Sequence, residues 1–176
     1  MTKHDYFGKV ENDWAGFSSA NIVIPYFEAE VKVFLGDEFD KDSEEVSIPP
    51  TIQQLDEFEQ TLKDFLSNID NIIDNIQQSA FEHYQKIYAK YYEKPFEVLF
   101  ENSIVQKTEN GKLHAPLNID SKEKHFEYMK DIVSLIRVLE NRTIKIPIHY
   151  ALDEEHGLEI KITNNKVVKI AGIAET

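Results

Sequence analysis

The sequence predicts a single α+β domain over residues 1–176, with N-terminal strands, two to three central helices and a C-terminal three-stranded antiparallel meander packed as one layer on the helices. The first observation behind this prediction is that apolar residues alternate with other residues near both ends of the chain. The second is that they recur every three to four residues in between. The third is the size of the chain, because 176 residues with 41% hydrophobic side chains suffice for one buried core.

The N-terminal strands are predicted from two alternating runs. The first holds Ile22, Ile24 and Tyr26, and Pro25 favours an edge position or a bend there. The apolar members of the second run are Ala29, Val31, Val33 and Leu35, and Gly36 ends it. Trp14, in Asp13-Trp14-Ala15-Gly16, is predicted to anchor the core near the first turn, since a tryptophan ring buries a large area.

Two central helices are predicted from one long apolar stripe. Thr51 has Gln54 three residues on, which is the spacing of a capping box. The stripe then runs from Leu55 to Tyr91. A single helix over this stretch would be roughly 60 Å long, whereas a domain of this size is about 40 Å across. We therefore expect a break near Ser67-Asn68.

A third helix is predicted from residue 120 onward. Asp120 is expected to cap it, with Glu123 at the matching position. Between the second and third helices, Phe96–Phe100 is expected to extend the second helix after Pro95, and residues 102–119 to form a loop or a short hairpin. The apolar stripe of the third helix consists of Phe126, Met129, Val133, Ile136 and Leu139.

The C-terminal strands have the clearest pattern in the chain. The side chains expected on one face are Ile144, Ile146, Ile148 and Tyr150 in the first strand, Leu158, Ile160 and Ile162 in the second, and Val168 and Ile170 in the third. Asn164-Asn165 predicts a tight turn between the last two strands, because asparagine tolerates a positive φ.

The charge of the chain restricts its partners. The formal net charge is −13 at pH 7, which disfavours binding to nucleic acid and to anionic membrane surfaces. The same charge attracts a basic protein partner and accelerates encounter with it, although solubility alone also explains an acidic surface. The sequence has no cysteine, no N-terminal signal pattern and no apolar window long enough to cross a bilayer. We therefore expect a cytoplasmic protein.

The densest acidic segment is the predicted loop over residues 37–45. We expect this loop to be solvated and to be the surface that meets a basic partner. It lacks the fixed spacing and the glycine of a calcium-binding loop. Its six acids are Asp37, Glu38, Asp40, Asp42, Glu44 and Glu45, against Lys41 as the one basic residue.

A second cluster, Asp153-Glu154-Glu155-His156-Gly157, combines carboxylates with an imidazole. Asp153, Glu155 and His156 could ligate a divalent metal or perform acid–base chemistry. Their spacing matches no helical zinc motif, and consecutive side chains between two strands diverge. We predict instead that the cluster caps a hairpin and binds no metal.

No catalytic or cofactor-binding residue is predicted. The remaining histidines lie in unlike predicted elements and form no triad with a serine. The six glycines include no Gly-x-Gly pair, which argues against a glycine-rich phosphate loop. We therefore expect no cofactor.

Both ends of the chain carry short segments with a family resemblance. Leu152-Asp153-Glu154-Glu155-His156-Gly157-Leu158, followed by Val168-Lys169-Ile170-Ala171-Gly172, resembles the closing motif of a group of uncharacterised bacterial domains, which reads Trp-Asp-Glu-Glu-His-Gly-Leu-Gly-Val. Asp13-Trp14-Ala15-Gly16 and a proline-led helix with Gln53 or Gln54 near its start are similar to the opening of the same group. Leu152 replaces the Trp and Glu159 replaces the second Gly. Some members are associated with toxin–immunity loci, so the resemblance implies a binding role and no catalytic residue.

Three hypotheses for the function follow. The leading one is a non-catalytic bacterial cytosolic interaction protein, in its most specific form an immunity-type antagonist of a basic partner. The first alternative is a metal-dependent hydrolase that uses the Asp153–His156 cluster. The second alternative is a structural homodimer without a small-molecule ligand, in which the aromatic helix packs on itself.

Overall fold

The described part of the chain contains ten strands and four helices. The computed structural model describes residues 2–27, 29–93, 96–100, 103–107, 116–129, 135–173 and 175–176; the predicted loop around residues 109–112 lies outside them, as does His114. The strands are β1 (Thr2–His4), β2 (Gly8–Asp13), β3 (Gly16–Ser18), β4 (Lys32–Leu35), β5 (Phe96–Phe100), β6 (Ser103–Lys107), β7 (Leu135–Leu139), β8 (Thr143–Ile148), β9 (Leu158–Thr163) and β10 (Lys166–Ala171). The helices are α1 (Ile52–Ser67), α2 (Ile69–Ile87), α3 (Ala89–Tyr92) and α4 (Lys122–Phe126).

Eight of these strands form one mixed sheet in the order β1-β2-β3-β4-β7-β8-β9-β10. β4 and β7 pair parallel, with Phe34 opposite Arg137, and the other neighbours pair antiparallel. β5 and β6 form a separate antiparallel hairpin. Parallel strands need a long crossover connection, and all four helices lie in the chain between β4 and β7.

The predicted fold class is therefore wrong. β8, β9 and β10 do pair antiparallel, and Asn164 and Asn165 form the predicted turn at positive φ. They do not form a three-stranded meander layered on helices, because β8 also pairs with β7, and β7 with β4. The three strands are thus one end of an eight-stranded sheet.

The predicted third helix accounts for much of this error. Helix α4 ends at Phe126, and its N-cap is Ser121, whose hydroxyl accepts a hydrogen bond from the Lys124 N–H. Ile136 and Leu139, expected on a helical stripe, lie in β7. Phe96–Phe100 is likewise a strand and not a helical extension.

The N-terminal strands also differ from the prediction. β1, β2 and β3 precede the predicted runs and have few apolar residues, with Val10 and Phe17 as the buried ones. Ile22 makes only an isolated bridge to Val31, and Tyr26 is exposed at a φ of 76°. The run from residue 22 to 26 is therefore not a strand.

The long apolar stripe forms helices as predicted. Thr51 and Gln54 make a reciprocal capping box, which confirms the predicted start of α1. The predicted break is also confirmed, since α1 ends at Ser67, α2 begins at Ile69, and Asn68 lies between them. The Asn68 side chain donates a hydrogen bond to the Asp64 carbonyl at 2.9 Å, which satisfies part of the α1 C-terminus.

The core lies between the helices and one face of the sheet. Alternate residues of the central strands, Ile136, Val138, Ile144, Ile146, Ile160 and Ile162, are buried in one cluster with the apolar faces of α1 and α2. Full burial of each such side chain contributes about 1.5–3 kcal/mol. Because side chains alternate along a strand, Arg137, Lys145 and Glu159 lie on the opposite face. Among the described helices, none has the length and apolar composition of a membrane span.

Candidate functional site

The candidate site is a groove on the face of the sheet that points away from α1 and α2. β7 contributes Leu135 and Arg137 to it, β8 contributes Lys145 and Pro147, and β9 contributes Glu159. The groove has a volume of about 430 Å³, and no residue of a described helix lines it. We call it the open-face groove.

Trp14 forms one wall of the open-face groove. It lies in the turn between β2 and β3, and 73% of its surface is exposed. Its ring packs edge-on against Phe34, with 5.2 Å between the ring centroids. The prediction that Trp14 anchors the core is therefore wrong: the side chain covers Phe34 on the open face while most of the indole meets solvent.

The turn that carries Trp14 is held by Asp13. The Asp13 carboxylate accepts hydrogen bonds from the Trp14 N–H at 2.8 Å and the Ser18 hydroxyl at 2.9 Å, and it pairs with Lys32 at 2.8 Å. Lys32 first, and then these two donors, lower the pKa of Asp13 to about 2. The carboxylate is therefore charged at neutral pH, and the backbone under Trp14 is fixed before any partner binds.

Arg137 joins the Trp14 turn to the acidic loop. Its guanidinium donates to the Ala15 carbonyl at 2.9 Å and to the Gly36 carbonyl at 3.0 Å, and it pairs with Glu38 at 3.2 Å. The same group lies 5.3 Å from the Phe34 ring centroid. Burial lowers the pKa of Arg137, and Glu38 opposes that effect. Because its hydrogen bonds go to the protein, Arg137 has a structural role and is a poor candidate for anion binding.

Lys145 is the second cation on the groove floor, and it is also paired. Its Nζ lies 3.3 Å from Glu159 Oε1 and donates to the Thr176 carbonyl at 2.7 Å. The Thr176 hydroxyl donates to Glu159 in turn. Both cations of the floor are therefore neutralised by neighbouring acids, which leaves the exposed carboxylate of Asp37 at the rim as a charge that can meet a partner.

The acidic loop over residues 37–45 reaches the groove through Asp37, Glu38 and Phe39. Asp40 folds the loop, because its carboxylate accepts hydrogen bonds from the N–H groups of Asp42 at 2.8 Å and Glu44 at 3.1 Å. Of the six predicted interaction residues, Glu38 is half-buried against Arg137, and Asp37, Asp40, Asp42, Glu44 and Glu45 are exposed. The predicted solvation of the loop is confirmed, whereas its role in binding stays a prediction.

The Asp153–His156 cluster caps the β8–β9 hairpin, as predicted. Asp153 accepts hydrogen bonds from the Tyr88 hydroxyl at 2.9 Å and from the His156 N–H at 3.2 Å, and it lies 3.0 Å from His156 Nδ1. The side-chain hydrogen bond with Asp153 raises the pKa of His156. Burial opposes ionisation of Asp153, but these hydrogen bonds outweigh it and lower the pKa of that carboxyl. Asp153 and His156 thus meet each other, but Glu155, the third predicted metal candidate, does not join them in a ligand cluster among the described residues.

A different trio has the spacing of metal ligands. Ligand atoms of His4, Asp56 and Glu59 lie within 4.8 Å of one another, and sequence reasoning missed this trio because β1 and α1 are far apart in the chain. His4 Nδ1 accepts a hydrogen bond from the Phe7 N–H at 3.4 Å, so the proton of the neutral ring is on Nε2, which donates to Asp56 at 3.1 Å. A metal-bound histidine needs that nitrogen free and donates from the other. The trio therefore connects β1 to α1 through a hydrogen bond, and its geometry does not suit a metal site.

Comparison with protein families places the chain. A family profile described as a domain of unknown function, DUF6985, matches residues 6–175. The chain belongs to the DUF6985 family. No curated protein and no solved structure matches the chain. The predicted membership of a group of uncharacterised domains is therefore confirmed, whereas the closing motif and the link to toxin–immunity loci stay predictions.

The groove of this DUF6985 domain adjoins a second cavity that is lined by residues of the Asp153–His156 cluster. The second cavity, of about 370 Å³ and lined by Glu154, Glu155 and His156, shares His149 and Ile173 with the open-face groove. The two cavities are therefore neighbours on either side of these two residues. Sequence reasoning missed this arrangement, because it depends on the pairing of β4 with β7, which puts the two acidic segments on the same sheet.

Proposed function

We propose that this DUF6985 domain is a non-catalytic interaction protein that binds a basic segment of a partner protein in the open-face groove. The observation that carries this proposal is Trp14, an aromatic ring that is 73% exposed on a fixed turn beside exposed acids. A lysine or arginine side chain stacks on an indole face with a gain of about 0.5–1 kcal/mol at an exposed site. Asp37 on the same rim supplies the opposite charge.

The charge of the whole domain supports the same proposal. At a net charge of −13 the field steers cationic partners toward the surface, and the paired cations of the groove floor do not oppose them. An immunity-type antagonist that masks a basic toxin in the bacterial cytoplasm is the specific form that we propose, and the resemblance of both chain ends to toxin–immunity-associated domains supports it.

The alternatives have less support in the geometry. A metal-dependent hydrolase would need Asp153 and His156 to face a metal, but the Asp153 carboxylate already accepts hydrogen bonds from Tyr88 and from the His156 backbone. A homodimer would pack the aromatic helix on a second copy, although Tyr84 of that helix is already buried in the core, and it predicts concentration-dependent association of the free protein. Sedimentation over a wide range of concentration separates this alternative from the proposal.

The experiment is a measurement of association rate with a tryptophan-free oligoarginine peptide as the probe. We expect the on-rate to fall several-fold from low to physiological salt while the off-rate changes less, because exposed charges are screened beyond about 8 Å. Asp37→Asn should lower the on-rate, and Glu82→Gln, which removes an exposed charge of α2, is the matched control. An on-rate that is independent of salt would show that the acidic surface serves solubility alone.

A further inference from the structure

One part of the open-face groove combines two exposed aromatic rings with an exposed acid. Trp14 and Phe39 both line the groove, and 73% and 50% of their surfaces are exposed. The exposed carboxylate of Asp37 belongs to the same lining. Trp14 meets Phe34 edge-on, with 77° between the ring planes, so at least one face of the indole is open. Aromatic faces and a carboxylate in one cavity are the groups that recognise an organic cation.

The two segments that carry these side chains lie against each other. A Cβ added to Gly16, two residues after Trp14, would be 3.6 Å from the Asp37 carbonyl oxygen and 3.6 Å from Glu38 Cα. Arg137 connects the same two segments, because its guanidinium donates hydrogen bonds to a backbone carbonyl in each of them. The Trp14 turn and the start of the acidic loop are therefore fixed relative to each other before a partner binds.

The protein already holds one of its own arginines by the same chemistry. The Arg137 guanidinium carbon lies 5.3 Å from the Phe34 ring centroid, and the same group pairs with the Glu38 carboxylate at 3.2 Å. Trp14 borders the same Phe34 ring, and with Asp37 it repeats the combination of ring and acid on the solvent side.

We infer that this part of the groove selects arginine over lysine in the partner's segment, with the guanidinium against the open face of Trp14 and its N–H groups donating to Asp37. This inference rests on the proposed function and specifies the side chain that the partner supplies. A guanidinium makes both contacts at once, because its donors lie in its plane and leave its faces free to stack. The lysine ammonium is a strongly hydrated point charge with no flat face, so it gains less from the same site.

A quaternary ammonium group is the competing cation, since it also packs on aromatic faces. It has no N–H with which to donate to Asp37. Trimethyl-lysine therefore separates a site that uses the rings alone from a site that uses the rings and the carboxylate together.

The test is titration calorimetry on the full chain with three tryptophan-free peptides of equal charge: hexa-arginine, hexalysine and hexa(trimethyl-lysine). We expect hexa-arginine to bind about two- to fivefold more tightly than either of the others, which corresponds to one stacked cation at an exposed site. Trp14→Leu keeps an apolar side chain without an aromatic face, and it should remove most of this preference. Tyr6→Leu is the matched control, because Tyr6 is a partly exposed aromatic residue outside the groove lining, and it should keep the preference. Unfolding curves should confirm that both variants fold.

The outcomes separate the inference from the proposed function. Equal binding of hexa-arginine and hexalysine, weakened by Asp37→Asn, would overturn the selection of arginine and leave the binding of basic partners in place. A preference for arginine that persists in Trp14→Leu would also overturn the inference, as would trimethyl-lysine binding as tightly as arginine. Binding of none of the three peptides would overturn the inference and the proposed function together.

Discussion

His125 gives this domain a specific sensitivity to acid. The side chain is fully buried, at 0% exposure, with Nε2 2.6 Å from the Tyr150 hydroxyl and Nδ1 without a hydrogen-bond partner. Burial, with a smaller effect of His83, lowers the pKa of His125 to about 4. An unfolded chain has an ordinary histidine pKa of about 6.5. At a pH between about 4 and 6.5, the unfolded state therefore binds a proton at His125 that the folded state does not bind.

The sign and size of the effect follow from linkage. Because the folded pKa is lower, His125 costs no stability above the unfolded pKa, and the cost grows as the pH falls from about 6.5 toward 4. Between pH 7 and pH 5 the expected loss of unfolding free energy is about 2 kcal/mol. This is a large part of the roughly 5–15 kcal/mol by which domains are stable.

The assay is urea unfolding of the wild type and of His125→Gln at pH 7 and pH 5. The variant lacks the titrating ring and can keep a hydrogen bond to Tyr150. Carboxyl groups and His156 titrate in both proteins, so the difference between the two pH dependences isolates His125. We expect the wild type to lose about 2 kcal/mol more than the variant. Equal losses would refute the reasoning, because the buried ring would then ionise in the folded state without cost.

Four further substitutions test the fold by the same unfolding measurement. Thr51→Ala should cost about 1 kcal/mol through the lost capping box. Gly157→Ala should cost about 1–3 kcal/mol, because the residue has a φ of +64° and a Cβ would lie 2.5 Å from Ile173 Cδ1; no loss would contradict that backbone. Arg137→Met should cost about 1–3 kcal/mol by leaving two carbonyls without their donor. Trp14→Ala should cost only about 1 kcal/mol, because it uncovers the Phe34 ring alone. A loss of about 3–5 kcal/mol, the usual cost of removing a core tryptophan, would contradict the exposure of Trp14.

The elements that the sequence predicts correctly are those with local causes. The start of α1 follows from Thr51 and Gln54, three residues apart, and the helix break at Asn68 follows from length. The turn at Asn164 and Asn165 follows from the tolerance of asparagine for positive φ. The capping box and the turn depend on a few neighbouring residues, and the break needs only the length of the apolar stripe, so none of the three requires a contact that is distant in sequence.

The prediction of the fold class is wrong because the contact that decides it joins residues that are distant in sequence. Residues 126, 129, 133, 136 and 139 fit a helical period, yet Ile136 and Val138 also fit a strand period around Arg137. The parallel pairing of β7 with β4, about a hundred residues away, selects the strand, and no local signal contains it. The strands β1, β2 and β3 were not predicted for another reason, which is that they bury few apolar residues and therefore show only a weak alternating pattern.

The candidate site was predictable only in part. The solvated acids of residues 37–45 follow from composition, and the turn at residues 153–156 follows from its position between two apolar strands. Tryptophan is a large apolar residue, which favours a core position for Trp14. Its exposure depends on the open face of a sheet that helices cover on one side, and the sequence does not reveal that layering.

The central claim is that the open-face groove around Trp14 binds basic segments, and the emission of Trp14 tests it most directly. Trp14 is the only tryptophan in the chain and is 73% exposed, so the free protein should emit like a solvated indole. We predict that an oligoarginine peptide changes this emission saturably, with weaker saturation at higher salt and in Asp37→Asn. Emission that stays constant while calorimetry shows the peptide bound would place binding elsewhere and contradict the claim.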